Sequence, residues 1–403
     1  MKVLYITPFV PHKNIDHAGG YFLYKYLKNM SEQIQVSVLS VENEQNLFAK
    51  SNESDWLDIN LVRSKKQKDN KFTKIYNAYF NPLDMPSWQI KALKNKIVTD
   101  SEFFNSFDII EVHFSQLLPL ARVLKQHTNR PLVSFEHDVY FESVIRRVEQ
   151  ASFSNEKIIR ILQNFKVKRI ETGILNMTDY VFAFSKKDID TLSSAGVTTL
   201  KSYLSPAIEI PNQISDTSNE NKNITFVGAM QRPENYEAAI WFLEEVWDEI
   251  VKSDSNVKFY VVGANPPKKL LNYASENVII TGFVEDLDEY YKEASIIVAP
   301  LLTGAGVKFK VVQALSYGLP VVTTPVGAEG IVNENNTSVF AEISFDKEKI
   351  KTKILALLQD KELRRYYGEN SRKWIEDNYN FEKNTISKAI DIYSSIKEKG
   401  MKL

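Results

Sequence analysis

The sequence predicts an α/β protein with two halves, each a parallel sheet covered by helices. Short apolar runs alternate with helical patterns along most of the chain, which is the order that βαβ units produce. The runs are continuously apolar, as in strands buried on both faces. A polar stretch over 211–223, rich in Asn and Ser, interrupts the alternation once and is typical of a linker.

The first half begins with a strand, a glycine loop, a helix and a second strand. The segments are KVLYIT, HAGG (17–20), YFLYKYLKNM and IQVSVLS. Further predicted strands are FDIIEVHF, PLVSFEHD and DYVFAFS, with helices over LLPLARVLKQH and about 144–176. The alternation resumes after the linker with the strands ITFVGAM, VKFYVVG, VIITGFV, SIIVAPL and PVVTTP. A periodic helix, NYEAAIWFLEEVWDEIV, follows the first of these strands, and the chain is predicted to be helical from about Asp346 onward. A ligand is expected at the carboxyl ends of the strands.

Composition excludes several classes of protein. A formal net charge of -1 gives no general attraction to nucleic acid. The chain has no cysteine, which excludes disulfides and thiolate metal sites and suits a reducing cytoplasm. The sequence contains no run of about 18 apolar residues, so it predicts no membrane span. The first residues, MKVLYITPFVPHK, are expected to form a buried strand rather than a leader.

The segment APLLTGAGVKFK carries the strongest local signal. Gly304 and Gly306 allow a sharp turn and a close approach to the backbone. A helix is expected from near Val307, and its amino end attracts anions. Lys308 and Lys310 are unfavourable to that helix dipole, so they indicate an anionic ligand such as a diphosphate. The alternative interpretation is a glycine turn with two solvated lysines.

The wider stretch APLLTGAGVKFKVVQALSYGLPVVTTPVGAEGI resembles the nucleotide-sugar signature of the family 4 retaining glycosyltransferases. Other matching segments occur in the family's order: PFVPHKNIDHAGG, PLVSFEHD, ITFVGAMQRPENYEAAIWFLEEVW and GFVEDLDEYYKEASIIVAP. The resemblance covers nearly the whole chain. It implies the GT-B fold, with two Rossmann-like domains facing a central cleft.

The resemblance also implies domain roles. Residues 1–210 would bind the acceptor, 211–223 would link, and 224–380 would bind the nucleotide sugar. The helix over 381–403 would cross back onto the first domain.

The resemblance assigns the donor site residue by residue. Gly304 and Gly306 match the loop beside the sugar and diphosphate, and Lys308 and Lys310 match positions that contact the diphosphate. Two family glutamates, which bind sugar hydroxyls and ribose, are replaced. The replacing residues are Ala305 and Gln313. Gln313 keeps a carbonyl acceptor without a charge.

A further departure follows the strand ITFV. The family often has an arginine directly after the glycine, where this chain has Ala229. Arg232 is then either a substitute donor-binding residue or an ordinary surface arginine.

In the first half, Gly19 and Gly20 match a glycine loop that approaches the donor. Their alternative role is a simple turn before a helix. His137, in SFEHD, matches a histidine that faces the reacting sugar, and it is the candidate catalytic residue. Asp138 is expected to cap or orient it.

The implied reaction is a retaining transfer from a nucleoside-diphosphate sugar to a glycan or lipid-linked acceptor, in surface polysaccharide synthesis. It needs no protein nucleophile, cofactor or metal, because positioning and charge stabilisation do the work. Two alternatives stay open: a non-catalytic nucleotide-sugar-binding subunit, and a nucleotide-sugar epimerase of the same fold.

Two basic segments, 62–80 and 144–171, contain interleaved apolar residues. They either contact an anionic membrane at the inner face of the plasma membrane or form ordinary solvated helix faces.

Overall fold

The structure, a computed structural model, forms two compact units. The first comprises Met1–Ala207 with Phe381–Leu403, and the second comprises Ile208–Asn380. It describes the chain apart from residues 16–17, 65–86, 151–165, 207, 209, 213–220, 305, 332–337 and 401–403. Much of both basic segments, and Ala305, therefore lie outside the described residues.

The described part of the first unit contains a seven-stranded parallel sheet in the order β3-β2-β1-β4-β5-β6-β7. Its strands are β1 (Lys2–Ile6), β2 (Gln35–Val41), β3 (Asp58–Val62), β4 (Ile109–His113), β5 (Leu132–Glu136), β6 (Tyr180–Ala183) and β7 (Lys201–Tyr203). The central strands β4 and β5 are buried at every position, as their apolar runs predict.

Helices alternate with these strands. They are Ala18–Met30, Glu44–Glu53, Ser87–Thr99, Ser101–Asn105, Pro119–His127, Tyr140–Gln150, 166–175, Lys186–Ser194 and Lys388–Gly400. Side-chain caps begin several of them: the Asn43 side chain accepts from the Asn46 N–H, and Ser185 accepts from Asp188. Short 3₁₀ and π segments occur at Ser115–Leu117 and Glu382–Ser387.

The prediction of a loop over 17–20 is wrong in part, because the helix begins at Ala18. Gly19 and Gly20 lie in its first turn. Glycine is tolerated in the first turn because the backbone N–H groups there have no carbonyl partner within the helix. Little helical hydrogen bonding is therefore lost.

The second unit repeats the design. Its described residues form a six-stranded parallel sheet in the order β10-β9-β8-β11-β12-β13. The strands are β8 (Asn223–Val227), β9 (Lys258–Val262), β10 (Val278–Gly282), β11 (Ile296–Ala299), β12 (Val321–Thr323) and β13 (Glu342–Ile343). The helices are Pro233–Phe242, Asp248–Ser253, Lys268–Leu271, Asp288–Glu293, Phe309–Ser316, Lys347–Gln359 and Lys361–Asn378, with a π segment at Leu243–Trp247.

The chain's last segment belongs to the first unit. Thr385 donates a 2.6 Å hydrogen bond to the Ser205 carbonyl, and the Lys388 ammonium donates to the Tyr203 carbonyl at 2.7 Å. Tyr393 is fully buried between the sheet and the helix Ala18–Met30 through its contacts with Tyr5 and Tyr26. No helix in the described ranges is both long and apolar enough to cross a bilayer.

Candidate functional site

Both sheets bring loops together at the carboxyl ends of their strands. In the first unit β1 has β2 on one side and β4 on the other, so the strand order reverses beside β1. Ligands of such sheets bind at this point. The connections that leave β1, β4 and β5 carry Gly19, Phe114 and His137.

His137 directly follows β5, and only 7% of its surface is exposed. Its ring stacks on Phe114 with centroids 3.7 Å apart and planes 16° from parallel. A Cβ at Gly19 would lie 3.3 Å from Phe114 Cε1 and 3.6 Å from His137 Nδ1. The structure therefore brings Gly19 and His137 together, and the missing side chain leaves room for both rings. Gly20, the next residue, is buried.

Phe114 has a left-handed backbone, with φ of 69°. With ψ of 135° the residue lies in a sparsely populated region, which costs about 1–3 kcal/mol. Backbone strain of this kind is common at functional sites. Here it places the Phe114 ring against His137.

Behind His137 lies a chain of buried polar groups. His137 Nε2 lies 3.0 Å from Nδ1 of His113, and His113 Nε2 lies 2.7 Å from Glu111 Oε1. The other Glu111 oxygen accepts a hydrogen bond from the Tyr393 hydroxyl. The Tyr393 hydroxyl is 2.9 Å from that of Tyr26. Burial raises the pKa of both tyrosines, and the charge of Glu111 raises it further.

Two more carboxylates are buried next to His137. Glu136 accepts 2.6 Å hydrogen bonds from Ser115 and Ser134, and burial raises its pKa to about 7. Glu171 accepts from the backbone N–H groups of Tyr140 and Phe141 at the start of a helix. Burial raises the pKa of Glu171, and the charge of Glu136 raises it further. The Glu171 contacts hold the start of the helix Tyr140–Gln150.

In the second unit the predicted glycine loop follows β11. Gly304 and Gly306 have φ of 125° and 70°, values that disfavour any other residue. Lys308 is largely buried, donates to the Gly306 carbonyl at 2.5 Å, and lies 3.5 Å from Glu329. The helix begins at Phe309, two residues later than predicted.

Lys310 reaches back to the carboxyl end of β8. Its ammonium donates to the Asn235 side chain and lies 5.0 Å from the centre of the Phe226 ring. A Cβ at Gly228 would lie 3.1 Å from that nitrogen. Burial lowers the pKa of Lys310 to about 7, and repulsion from Lys308 adds to the effect. An anion beside this nitrogen would favour its charged form.

Two other donor residues predicted from the sequence, Arg232 and Gln313, differ in their surroundings. Arg232 is 58% exposed and lies 3.8 Å from Glu234. Its charge also lowers the pKa of Lys310, so the two cations act on the same region. Gln313 is half-buried, with its amide nitrogen 3.4 Å from Ser316 Oγ.

Sequence reasoning missed five residues that shape these regions: Glu111, His113, Phe114, Asn235 and Glu329. Glu111 and His113 left a signal, because alternation puts both on one face of an otherwise apolar strand. Asn235 and Glu329 left none, since their partners are distant in sequence.

Across the parts of the chain that the structure describes, no group of three or more His, Asp or Glu side chains is arranged to hold a metal ion. The metal-free reaction stays a prediction.

The second unit's sheet coincides with a known domain. Residues 221–360 match the family model of glycosyl transferases group 1. The matched stretch covers about a third of the chain. It contains Gly228, Asn235, Gly304, Lys308 and Lys310.

Two relatives match by sequence. A 44.6 kDa protein from the cps region of Klebsiella pneumoniae is 31% identical over 142 residues, 32% of this chain. This chain spans 37% of that relative's length. An uncharacterised glycosyltransferase from Methanocaldococcus jannaschii is 25% identical over 310 residues, covering 70% of this chain and 74% of its own.

Solved structures match over nearly the full length. Sucrose-phosphate synthase from Thermosynechococcus elongatus has a TM-score of 0.70 at 13% identity, covering 98% of this chain and 99% of its own. Anabaena HepE in complex with UDP has a TM-score of 0.67 at 14% identity, covering 100% of both chains. The fold is therefore that of the GT-B glycosyltransferases, as the sequence predicts.

Proposed function

We propose that this chain is a retaining glycosyltransferase that moves a sugar from a nucleoside-diphosphate sugar to a glycan or lipid-linked acceptor. The observation that carries the proposal is the pair of buried lysines, Lys308 and Lys310, held behind a glycine turn in the glycosyl transferases group 1 domain.

Lys310 suits a diphosphate because the side chains that contact its ammonium are neutral, and the charge of Glu234 raises its pKa by less than burial and Lys308 lower it. Asn235 and the Phe226 ring stabilise its charge only weakly, which agrees with the lowered pKa. A diphosphate oxygen would supply a full opposite charge in a largely buried place, where charge-assisted bonds are strong. Negative charge that develops on the leaving nucleotide would be stabilised in the same way.

His137 is assigned to a hydroxyl group of the donor sugar. Its burial, its stacking on Phe114 and the close approach of Gly19 support this assignment. Retention would follow from attack of the acceptor hydroxyl on the face of the leaving group. A donor phosphate oxygen would take the proton, and the protein would position the reactants.

UDP is the first nucleotide to test. Structures with this fold, among them Anabaena HepE and Staphylococcus aureus TarM, were solved in complex with UDP. The Klebsiella relative comes from a cps region, which supports a role in polysaccharide synthesis.

The experiment is thermal unfolding in the presence of UDP, GDP, ADP or dTDP. A ligand at 100 times its dissociation constant stabilises the native state by about 2.7 kcal/mol. One nucleotide should raise the unfolding temperature of the second unit, and the Lys308→Ala/Lys310→Ala variant should lose the effect. If no nucleotide at millimolar concentration does so, the donor site is absent.

The binding-subunit alternative rests on Ala305 and Gln313, which stand where the family has glutamates. Gln313→Glu distinguishes the two functions. An active enzyme should lose turnover when its amide is replaced. A protein without transferase activity that gains nucleotide affinity would support the alternative. Analysis of the sugar product separates transfer from epimerisation.

A further inference from the structure

A line of buried polar side chains ends at His137. Glu111 and His113 alternate along β4, so both side chains lie on the same face of the sheet. Both are fully buried, and His137 nearly so. Three ionisable groups in contact and away from water are costly unless each proton has a definite place.

The contacts of Glu111 place the first proton. One carboxylate oxygen accepts from the Tyr393 hydroxyl, and the other lies 2.7 Å from His113 Nε2. Two lone pairs at that separation would repel each other. An ionised Glu111 favours a proton on His113 Nε2 through its charge, although the N–H is not aimed at the oxygen.

The second proton follows from the first. A neutral His113 with its proton on Nε2 has a lone pair on Nδ1. That atom lies 3.0 Å from His137 Nε2, so His137 must be the donor. His137 then carries its proton on Nε2 and a lone pair on Nδ1. The Nδ1 atom lies on the side of Gly19.

We propose that Glu111 and His113 are positioning residues that lock His137 in the Nε2–H tautomer, so that Nδ1 is a hydrogen-bond acceptor for a substrate hydroxyl. The part concerning the hydroxyl rests on the proposed function, while the tautomer does not. Tyr393 connects this network to the chain's last helix, because its hydroxyl donates to Glu111.

The tautomer is read by nitrogen NMR on the full chain labelled with ¹⁵N-histidine. The sequence has five histidines, and His137→Gln assigns the signal. We expect a protonated Nε2 and an unprotonated Nδ1 at His137. A proton on Nδ1 with none on Nε2 would overturn the proposal, because His113 would then be the donor to His137, and protons on both nitrogens would overturn the acceptor role of Nδ1. The tautomer itself is measured on the unmodified chain, and the measurement does not depend on enzymatic activity.

The role of Glu111 is tested by Glu111→Gln. A glutamine can offer His113 either its carbonyl or its NH₂ group, so the preference for one tautomer of His137 becomes weaker. The ratio of His137 tautomers should shift by roughly fivefold, the worth of one net hydrogen bond of about 1 kcal/mol. An unchanged ratio in a folded variant would refute the positioning role.

Glu136→Gln is the matched control. Glu136 is as buried as Glu111 and lies one residue from His137. Its oxygens, however, accept hydrogen bonds from Ser115 and Ser134 and not from His113. The tautomer ratio of His137 should stay unchanged. A shift as large as that of Glu111→Gln would mean that any lost buried charge perturbs the ring.

If transfer activity is found, Glu111→Gln should lower kcat by roughly 10-fold while the KM for the donor changes little, as for other residues that orient a ligand-binding histidine. Loss of nucleotide binding by wild type would defeat the proposed function and leave the tautomer result intact.

Discussion

The two units fix their candidate site residues in opposite ways. In the first unit, His137 is held by a network of buried side chains from β4 and the last helix. In the second unit, Lys308 and Lys310 are held by a local turn whose glycines have positive φ, and by single contacts to Glu329 and Asn235. A local turn can be encoded in a dozen consecutive residues, whereas a buried network needs residues far apart in sequence.

The largest expected effect comes from breaking the backbone of the second unit at Gly263. Its φ is 148°, and a Cβ there would lie 1.7 Å from the Gly228 carbonyl oxygen. Gly263→Ala should lower the free energy of unfolding by about 3 kcal/mol or more, because the ends of β8 and β9 must separate. Urea unfolding followed by circular dichroism measures this.

Gly282→Ala is the control, since Gly282 has φ of 71° but no atom within 4 Å of the added carbon. It should cost only about 1–2 kcal/mol, from strain alone. Equal losses in both variants would show that backbone strain, and not close approach, sets the cost.

The next effect concerns the lysines. Lys310→Met should weaken UDP binding about 30-fold, corresponding to about 2 kcal/mol for a charge-assisted bond. The free energy of unfolding should not fall, because burial already disfavours the charge of Lys310. Isothermal titration calorimetry gives the affinity.

Lys269→Met supplies the comparison, because Lys269 is an exposed lysine of the same unit. UDP affinity should be unchanged there. If Lys310→Met bound UDP like wild type, the glycine turn would not be a diphosphate site.

A smaller effect is expected in the first unit. Tyr393→Phe removes a donor to Glu111 and should lower the free energy of unfolding by about 1–2 kcal/mol. Tyr366→Phe, at an exposed tyrosine, should change it by less than about 0.5 kcal/mol. Indistinguishable unfolding curves for the two variants would mean that the terminal helix is not tied to the network.

The smallest effect is the pH dependence of UDP binding. The pKa of Lys310 is about 7 without ligand, and a bound anion should raise it. Binding then takes up a proton above pH 7, so affinity should fall as pH rises. The expected loss is about fivefold between pH 7 and pH 8.

Calorimetry in buffers of different ionisation enthalpy would detect that proton directly. Lys310→Met should take up none. A wild-type affinity that is constant from pH 7 to pH 9 would contradict the assigned role of Lys310.

Much of the fold could be read from the sequence because each strand is a continuous apolar run. The predicted runs at β1, β4, β5, β9 and β11 lie within about two residues of the observed strands. Boundaries were less certain where glycine has more than one use. At Gly19 and Gly20 the sequence predicts a loop, but the chain is already helical.

The candidate site residues also differ in whether their surroundings can be predicted from neighbouring sequence. The glycine turn and both lysines were predicted, because loop, charge and helix start are adjacent in sequence. The partners of His137 were not, since Glu111 and His113 look like parts of a strand until the sheet places β4 beside β5. The functional assignments of all these residues, and those of Arg232, Gln313 and Ala305, stay predictions.

The sequence by itself determined the two parallel sheets and the basic glycine turn of this protein, because periodicity, backbone freedom and charge act over a few neighbouring residues. Only the tertiary structure decided which buried groups meet. Glu111 and His113 come from one strand, His137 from the loop after the neighbouring strand, and Tyr393 from the last helix. Their protons are set by distances of about 3 Å across the fold, and no local pattern encodes such distances.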